Sequence, residues 1–434
     1  MIGPDLVHET LRKYQLVDGY PVVLDLEHSE GVWMHDAVTG KRYLDAFSFF
    51  ASWPMGYNHP MLTDADFRAE MAQVAITKTA NSDIYTTQMA QFVDAFGSKV
   101  TPAGFPHHFW ISGGALAVEN AMKTAFDWKA RKLGRTSFAE PVEDLVILHF
   151  RQAFHGRSGY TLSVTNTVPD KIGLFPKFDW PRVHNPAVVY DDDGAIVNDI
   201  QAEEDWACGE IEAAFDAHPG KVAAILIEPL QGEGGDNHFR PEFMARLRRY
   251  ADEREAMLVY DEVQTGFWGT GKPWMWQHQG VAPDIVAFGK KTQVCGIYVS
   301  ERVDEVEDNV FARSSRINST WGGNLVDMVR CRRFIEIIEK EDLGNHITVM
   351  GDRLVAGLRD IARRTGRFSN PRGRGSLVAV TFEEADDRGA VLGRLFDREV
   401  LALPSGPTSI RFRLPYVIGE GEIDELLNRV EASL

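Results

Sequence analysis

The chain's 434 residues, 44% hydrophobic and 25% charged, give it the length for two or three domains and the composition of an ordinary globular protein. Its 46 Lys and Arg against 63 Asp and Glu leave a net charge of -17, which repels phosphate backbones and anionic lipid, so nucleic acid and membrane surfaces are not expected partners. The three cysteines, Cys208, Cys295 and Cys331, form neither a disulfide framework nor a metal-ligand cluster. With no signal-peptide core at the start and no apolar run approaching the ~20 residues of a membrane helix, a reducing cytoplasm is the expected compartment.

In chain order, "GVWMHDAVTGKRYLDAF" (31–47) reads as a hairpin around Thr39 and Gly40, within a first segment (1–65) expected to pack beside the C-terminal part. "FWISGGALAVENAMKTAFDWK" (109–129) is a strand broken by two glycines, with a helix beginning near Ala115. "DLVILHF" (144–150), "KVAAILIEP" (221–229), "AMLVYDEV" (256–263) and "PDIVAFGK" (283–290) are short apolar runs without period-2 alternation, separated by amphipathic stretches such as "PEFMARLRRYADERE" (241–255). Strands buried on both faces and alternating with helices imply an α/β layer architecture with a parallel sheet. After Trp321 come a long helical pattern, "NLVDMVRCRRFIEIIEKEDL" (324–343), and two strand-like runs, "GSLVAVTFE" (375–383) and "SIRFRLPYVI" (409–418). The expected division is thus an N-terminal segment (1–65), a large domain (66–325) and a smaller α+β domain (326–434).

Ligands of open α/β sheets collect beyond the carboxyl ends of the strands. There this chain places Glu228 and Glu233 in "ILIEPLQGEGG", Asp261, Glu262 and Gln264 in "LVYDEVQTG", and Lys290 and Lys291 in "IVAFGKK". Each carboxylate and ammonium taken alone is equally well read as a buried ion pair. Together they suit pyridoxal phosphate (PLP), whose aldehyde needs a lysine amine and whose pyridine nitrogen needs a carboxylate. The Gly-Gly turn before Ala115 offers backbone N–H groups to a phosphate, and Phe154 of "FRQAFHGRSGY" (150–160), beside His155, offers an aromatic cover for a ring. A nicotinamide dehydrogenase, the rival suggested by "GTG" (269–271), lacks an early G-x-G-x-x-G followed by an acidic residue.

These motifs resemble the class III, fold type I PLP-dependent aminotransferases over nearly the whole chain. The resemblance implies a large domain built on a mostly parallel seven-stranded sheet, and it assigns roles by position. In "YDEVQTGFWGTG", Asp261 pairs with the pyridine nitrogen, Val263 lies on the ring face opposite Phe154, and Gln264 sits near the phenolic oxygen. In "FGKK" the Schiff-base lysine directly follows the glycine, which selects Lys290 and leaves Lys291 structural. Gly114 and Ala115 match the phosphate turn, though many relatives carry Ser or Thr at the second position; His155 and Glu228 join the cofactor-binding set. Thr320 in "INSTWGGN" resembles a hydroxyl that reaches the phosphate from a neighbouring subunit, implying a homodimer with shared active sites.

Longer stretches, "FHGRSGYTLSVTNT" (154–167) and "FPKFDWPRV" (175–183), are most similar to the L-lysine ε-aminotransferase branch, which passes the terminal amine of L-lysine to 2-oxoglutarate. That likeness implies Arg157 for the substrate α-carboxylate of lysine and Arg411 of "SIRFRLP" for that of the keto acid. Glu233 of "QGEGG" would cover Arg411 while lysine is bound, with Asn318 of "RINST" as a further substrate contact. Leu414 stands where the family commonly has proline, and Trp53 and Pro54 mark a segment expected to line the amine entrance. Both bear on chain-length preference, so ornithine, another diamine or 4-aminobutyrate remains the alternative substrate.

Overall fold

The computed structural model describes residues 2–140 and 142–434. Its centre is a seven-stranded sheet in the order His107–Ile111, Cys295–Val299, Ile285–Phe288, Met257–Asp261, Val222–Ile227, Val146–Phe150, Arg182–Val183. Cys295–Val299 alone runs antiparallel to its neighbours; the other contacts in the sheet are parallel. The four apolar runs of the central alternation are four of these strands, and every residue in them is buried.

Two-sided burial has a direct cause. Alternate side chains of each strand enter different cores: Ile147, Ala224, Val259 and Ala287 pack with Ala117, Val118, Ala121 and Met122 of helix Gly114–Lys132. Leu148, Ile225, Leu258 and Val286 pack on the other side with Phe243, Met244 and Leu247 of helix Pro241–Glu253. Because neither face meets water, these strands cannot carry the polar alternation of a half-exposed sheet.

The C-terminal part holds the long helices Leu325–Lys340 and Leu343–Thr365 and a four-stranded antiparallel sheet, Ser369–Arg374, Leu377–Thr381, Ser409–Arg413, Leu403–Ser405. The expected hairpin forms from Trp33–His35 and Arg42–Asp45, and its second strand pairs in parallel with Val400–Leu401, bringing the chain's start onto its C-terminal part. Leu414 follows the last sheet strand and donates its N–H to Ser376 O at 2.9 Å, a bond that a proline there could not make.

Gly296, opposite Phe288 and Trp110 in the central sheet, has no room for a side chain: a Cβ would lie 2.2 Å from Phe109 O and 2.8 Å from Phe288 Cζ. Replacing it with alanine forces the Cys295–Val299 strand away from His107–Ile111 and presses on the Phe288 ring. Gly296→Ala is expected to lower unfolding free energy by about 3 kcal/mol in denaturant titrations.

Candidate active site

The adjacent parallel strands Met257–Asp261 and Ile285–Phe288 are in register, Ala287 opposite Asp261, so they stop at nearly the same level. One ends on a carboxylate. The other runs through Gly289 into a single 3-10 turn, Lys290–Thr292, in which Lys290 takes a left-handed backbone (φ 54). A lysine in that conformation is strained, and such strain concentrates at functional sites. Gly289 is needed beside it, since a Cβ there would lie 2.8 Å from Cys295 Sγ.

Beyond these strand ends lies a cavity of about 250 Å³ that gathers ten of the sequence-predicted residues. Gly114 and Ala115 contribute from a helix start, Phe154 and His155 from the loop after the Val146–Phe150 strand, and Glu228 and Glu233 from the stretch after Val222–Ile227. Asp261, Val263, Gln264 and Lys290 complete it. A larger hollow of about 790 Å³, between helix Gly114–Lys132 and residues 178–180, is lined by aromatic rings and the Arg316–Asp127 ion pair and includes none of the sequence-predicted residues.

Electrostatics separates the two lysines. Burial, helped by the positive charges of Arg411 and Arg413 and opposed by Asp261 and Glu228, brings the Lys290 amine down to about 8. An amine so tuned is partly neutral near physiological pH and able to attack a carbonyl. Lys291 is also buried, but its Nζ donates to Gln264 O, away from the cavity. It is structural.

The acidic side chains are held rather than loose. Asp261 accepts from His155 Nδ1 at 2.8 Å and from Val263 N–H at 3.0 Å, while His155 Nε2 has no hydrogen-bond partner among the described residues. Glu228 accepts the backbone N–H of Phe154 at 2.9 Å and of Gly232 at 3.1 Å, tying the aromatic loop to the Glu233 loop. Burial lifts its carboxyl to about 7, with Asp261 adding to the rise and His155 opposing it. Gln264 points its Oε1 at Arg413, accepting from Nη2 at 2.8 Å and Nε at 3.1 Å, and lies 3.5 Å from Arg411 Nη1.

These residues fit pyridoxal phosphate. Helix Gly114–Lys132 starts at Gly113 (φ 106) with no side chain capping it, so its first N–H groups are open to an anion. A Cβ on Gly114 would lie 2.8 Å from Val263 Cγ1, so the glycine keeps the space beside Val263 clear. The supported carboxylate, the orphaned imidazole nitrogen and the lowered lysine amine converge on one cavity large enough for a planar ring.

Four predicted residues are not lining residues. Arg411 is buried just behind Glu233, its Nη2 3.7 Å from Glu233 Oε2. Arg157, Asn318 and Thr320 are exposed and line no part of this chain's own cavity. Trp53 does not reach it either: its indole packs edge-on against Phe334 with ring centroids 5.5 Å apart. It follows a left-handed turn, Ser48–Ala51, in which four non-glycine residues have φ of 45 to 64. Asp45 fixes this turn by accepting the N–H groups of Phe47 and Ser48 at 2.9 and 2.7 Å, and Gln293 donates to Ser52 O at 2.7 Å.

Sequence reasoning missed Arg413, Asp236 and Lys171. Arg413 is fully buried and paired with Asp236 at 2.8 Å, and Lys171 contacts Glu233 directly. The alternation of "SIRFR" could have drawn notice to the first, since two arginines in a buried strand need partners; nothing local marked Lys171.

Comparison with known proteins agrees with this geometry. The family described as Aminotransferase class-III matches residues 14–434. An L-lysine-epsilon aminotransferase of Amycolatopsis lactamdurans is 48% identical over 437 residues, covering 100% of this chain and 96% of its own length. The solved lysine aminotransferase from M. tuberculosis in the internal aldimine form superposes with a TM-score of 0.95 at 48% identity, covering 100% of this chain and 99% of that one. The mitochondrial 4-aminobutyrate aminotransferase of Rattus norvegicus is 32% identical over 424 residues, covering 93% of this chain and 83% of its own length.

Two outcomes follow from the site. Capture of PLP by cofactor-free protein, followed by absorbance, is expected to quicken as pH rises through about 8, because the neutral Lys290 amine is the attacking form, and Arg411→Ala is expected to move that midpoint upward. Glu228→Ala leaves two backbone donors without their acceptor and is expected to cost about 2–4 kcal/mol in denaturant unfolding.

Proposed function

The chain belongs to the class III aminotransferases, which work with PLP, and we propose that within this family it is an L-lysine ε-aminotransferase with 2-oxoglutarate as amino acceptor. The observation that carries the choice of substrate is the contrast in identity, 48% to a lysine enzyme over the whole chain against 32% to a 4-aminobutyrate enzyme. The paired Glu233 and Arg411 beside the cavity support two substrates of different shape.

When bound, PLP supplies an electrophilic carbon for the amine and a ring that accepts an electron pair from the substrate carbon. Asp261, fixed by His155 and the Val263 N–H, presents the carboxylate that keeps a proton on the ring nitrogen. Val263 and Phe154 would confine the ring, and the N–H groups at Gly114 and Ala115 would hold the phosphate without help from a hydroxyl at position 115. Lys290 Nζ takes the proton from the substrate carbon that bears the amine and delivers it onward. In the lysine half-reaction Glu233 neutralises Arg411, and Arg157 takes the distant α-carboxylate. In the keto-acid half-reaction Glu233 withdraws, and the Arg411 guanidinium takes the near carboxylate.

The same reading makes the enzyme a cytoplasmic homodimer in which Thr320 and Asn318 serve the neighbouring cavity. Their exposure, and their absence from this chain's own cavity, support it. No helix among the described residues is long and apolar enough to cross a membrane. This reading also divides the chain into segment 1–65, a large PLP-binding domain 66–325 and a small domain 326–434; the pairing of Arg42–Asp45 with Val400–Leu401 supports the packing of the first segment with the last.

Purified protein mixed with L-lysine and 2-oxoglutarate is expected to form a cyclised product that colours with o-aminobenzaldehyde, faster than ornithine or 4-aminobutyrate is consumed. Colourless mixtures with rapid consumption of 4-aminobutyrate or ornithine would overturn the substrate assignment. Glu233→Ala is expected to reduce the preference for the ε-amine of lysine over α-amines about tenfold, read as the ratio of kcat/KM values.

A further inference from the structure

Glu233 stands between two cations. Its Oε2 is 3.7 Å from Arg411 Nη2, an ion pair too long for a hydrogen bond, whereas its Oε1 accepts directly from Lys171 Nζ. The partners differ in setting. Arg411 is buried, with 4% of its side chain exposed, in the strand Ser409–Arg413, while Lys171 has 39% exposed on the short helix Pro169–Ile172. The Lys171 ammonium also lies 5.9 Å above the Phe154 ring, at the edge of the same cavity.

The backbone around Glu233 is pinned. Gly406 N–H donates to Glu233 O at 2.8 Å, Ser405 Oγ donates to Gly232 O at 2.7 Å, and a Cβ on Gly234 would lie 1.8 Å from Gln152 O. Any change of partner by the carboxylate is therefore a rotation of its side chain, between one cation inside the site and one at its rim.

We propose that Lys171 is a positioning residue that receives the Glu233 carboxylate when the α-carboxylate of glutamate or 2-oxoglutarate occupies Arg411, and so sets the affinity for that substrate. The proposal rests on the two-substrate reading above. Two carboxylates cannot share one guanidinium at low cost in a site screened from water; the expelled one needs a cation of its own. Lys171 supplies it at the rim, where the ammonium stays partly hydrated and desolvation is small. The lysine half-reaction leaves Glu233 between the two cations, as it stands in the structure, and displaces no carboxylate from Arg411.

The test is calorimetric titration of the holoenzyme with glutarate, an unreactive dicarboxylate, together with single-turnover half-reactions with L-glutamate and L-lysine followed by cofactor absorbance. Lys171→Met is expected to weaken glutarate about tenfold and to raise the apparent Kd for L-glutamate similarly, with the limiting rate changed less than about twofold and the glutamate loss far exceeding any loss with L-lysine. Lys171→Arg is expected to restore most of the affinity. In a Glu233→Gln background, where no charge has to be received, Lys171→Met is expected to change glutarate binding by less than about twofold. Unchanged glutarate and glutamate affinity in Lys171→Met would overturn the proposal. So would an equal loss in both backgrounds, which would mean that Lys171 touches the ligand itself. Failure of the unmodified enzyme to react with L-lysine would overturn the substrate reading instead, and leave the glutarate comparison intact.

Discussion

Two parallel strands that end side by side bring a carboxylate and an amine to the edge of one cavity. The register that sets Ala287 against Asp261 fixes this, and Gly289 adds the bend that turns Lys290 inward. Desolvation does the chemical tuning: it lowers Lys290 to about 8, and the guanidinium groups of Arg411 and Arg413 press in the same direction. Asp261 and Glu228 oppose them, so the amine keeps enough basicity to accept a proton and enough neutrality to give up its lone pair. The next residue shows that burial alone is not sufficient. Lys291 is at least as deeply buried, yet its Nζ is occupied by the Gln264 carbonyl and has no opening to the cavity.

Around this pair the chain spends its polar groups on holding other polar groups in place. Glu228 uses both oxygens to clamp backbone N–H groups from two loops, so the aromatic cover and the Glu233 loop keep their relative position. Gln264 receives Arg413, which is itself neutralised by Asp236, and this fixes the strand from which Arg411 reaches the site. Within this frame the Glu233 side chain has a different cation on either side, Lys171 and Arg411.

Much of this was legible in the sequence because burial leaves a strong imprint. "VAAILI" and "IVAF" read as two-sided strands because every position is dry, and Lys290 stands out because an ammonium follows such a run. The Gly-Gly break marked the helix start to within one residue, Gly114 rather than Ala115. Illegible elements were those fixed by their partners rather than by their own composition. Ser369–Arg374, "SNPRGR", has the composition of a turn and becomes a strand only because Leu377–Thr381 lies beside it. Leu403–Ser405 and Arg182–Val183 are too short to show any period. The left-handed turn at Ser48–Ala51 opposes local preference and survives through Asp45 and Gln293, and Trp53 after it packs on Phe334. Lys171 was invisible for the same reason, since its partner lies 62 residues along the chain.

The central claim is that the first lysine of the pair, and not the second, is joined to PLP. Borohydride reduction of the holoenzyme followed by proteolysis and mass spectrometry tests it directly. The account predicts a phosphopyridoxyl adduct on Lys290 alone, lost in Lys290→Ala and retained in Lys291→Arg. An adduct on Lys291, or on neither residue in cofactor-loaded protein, would contradict it.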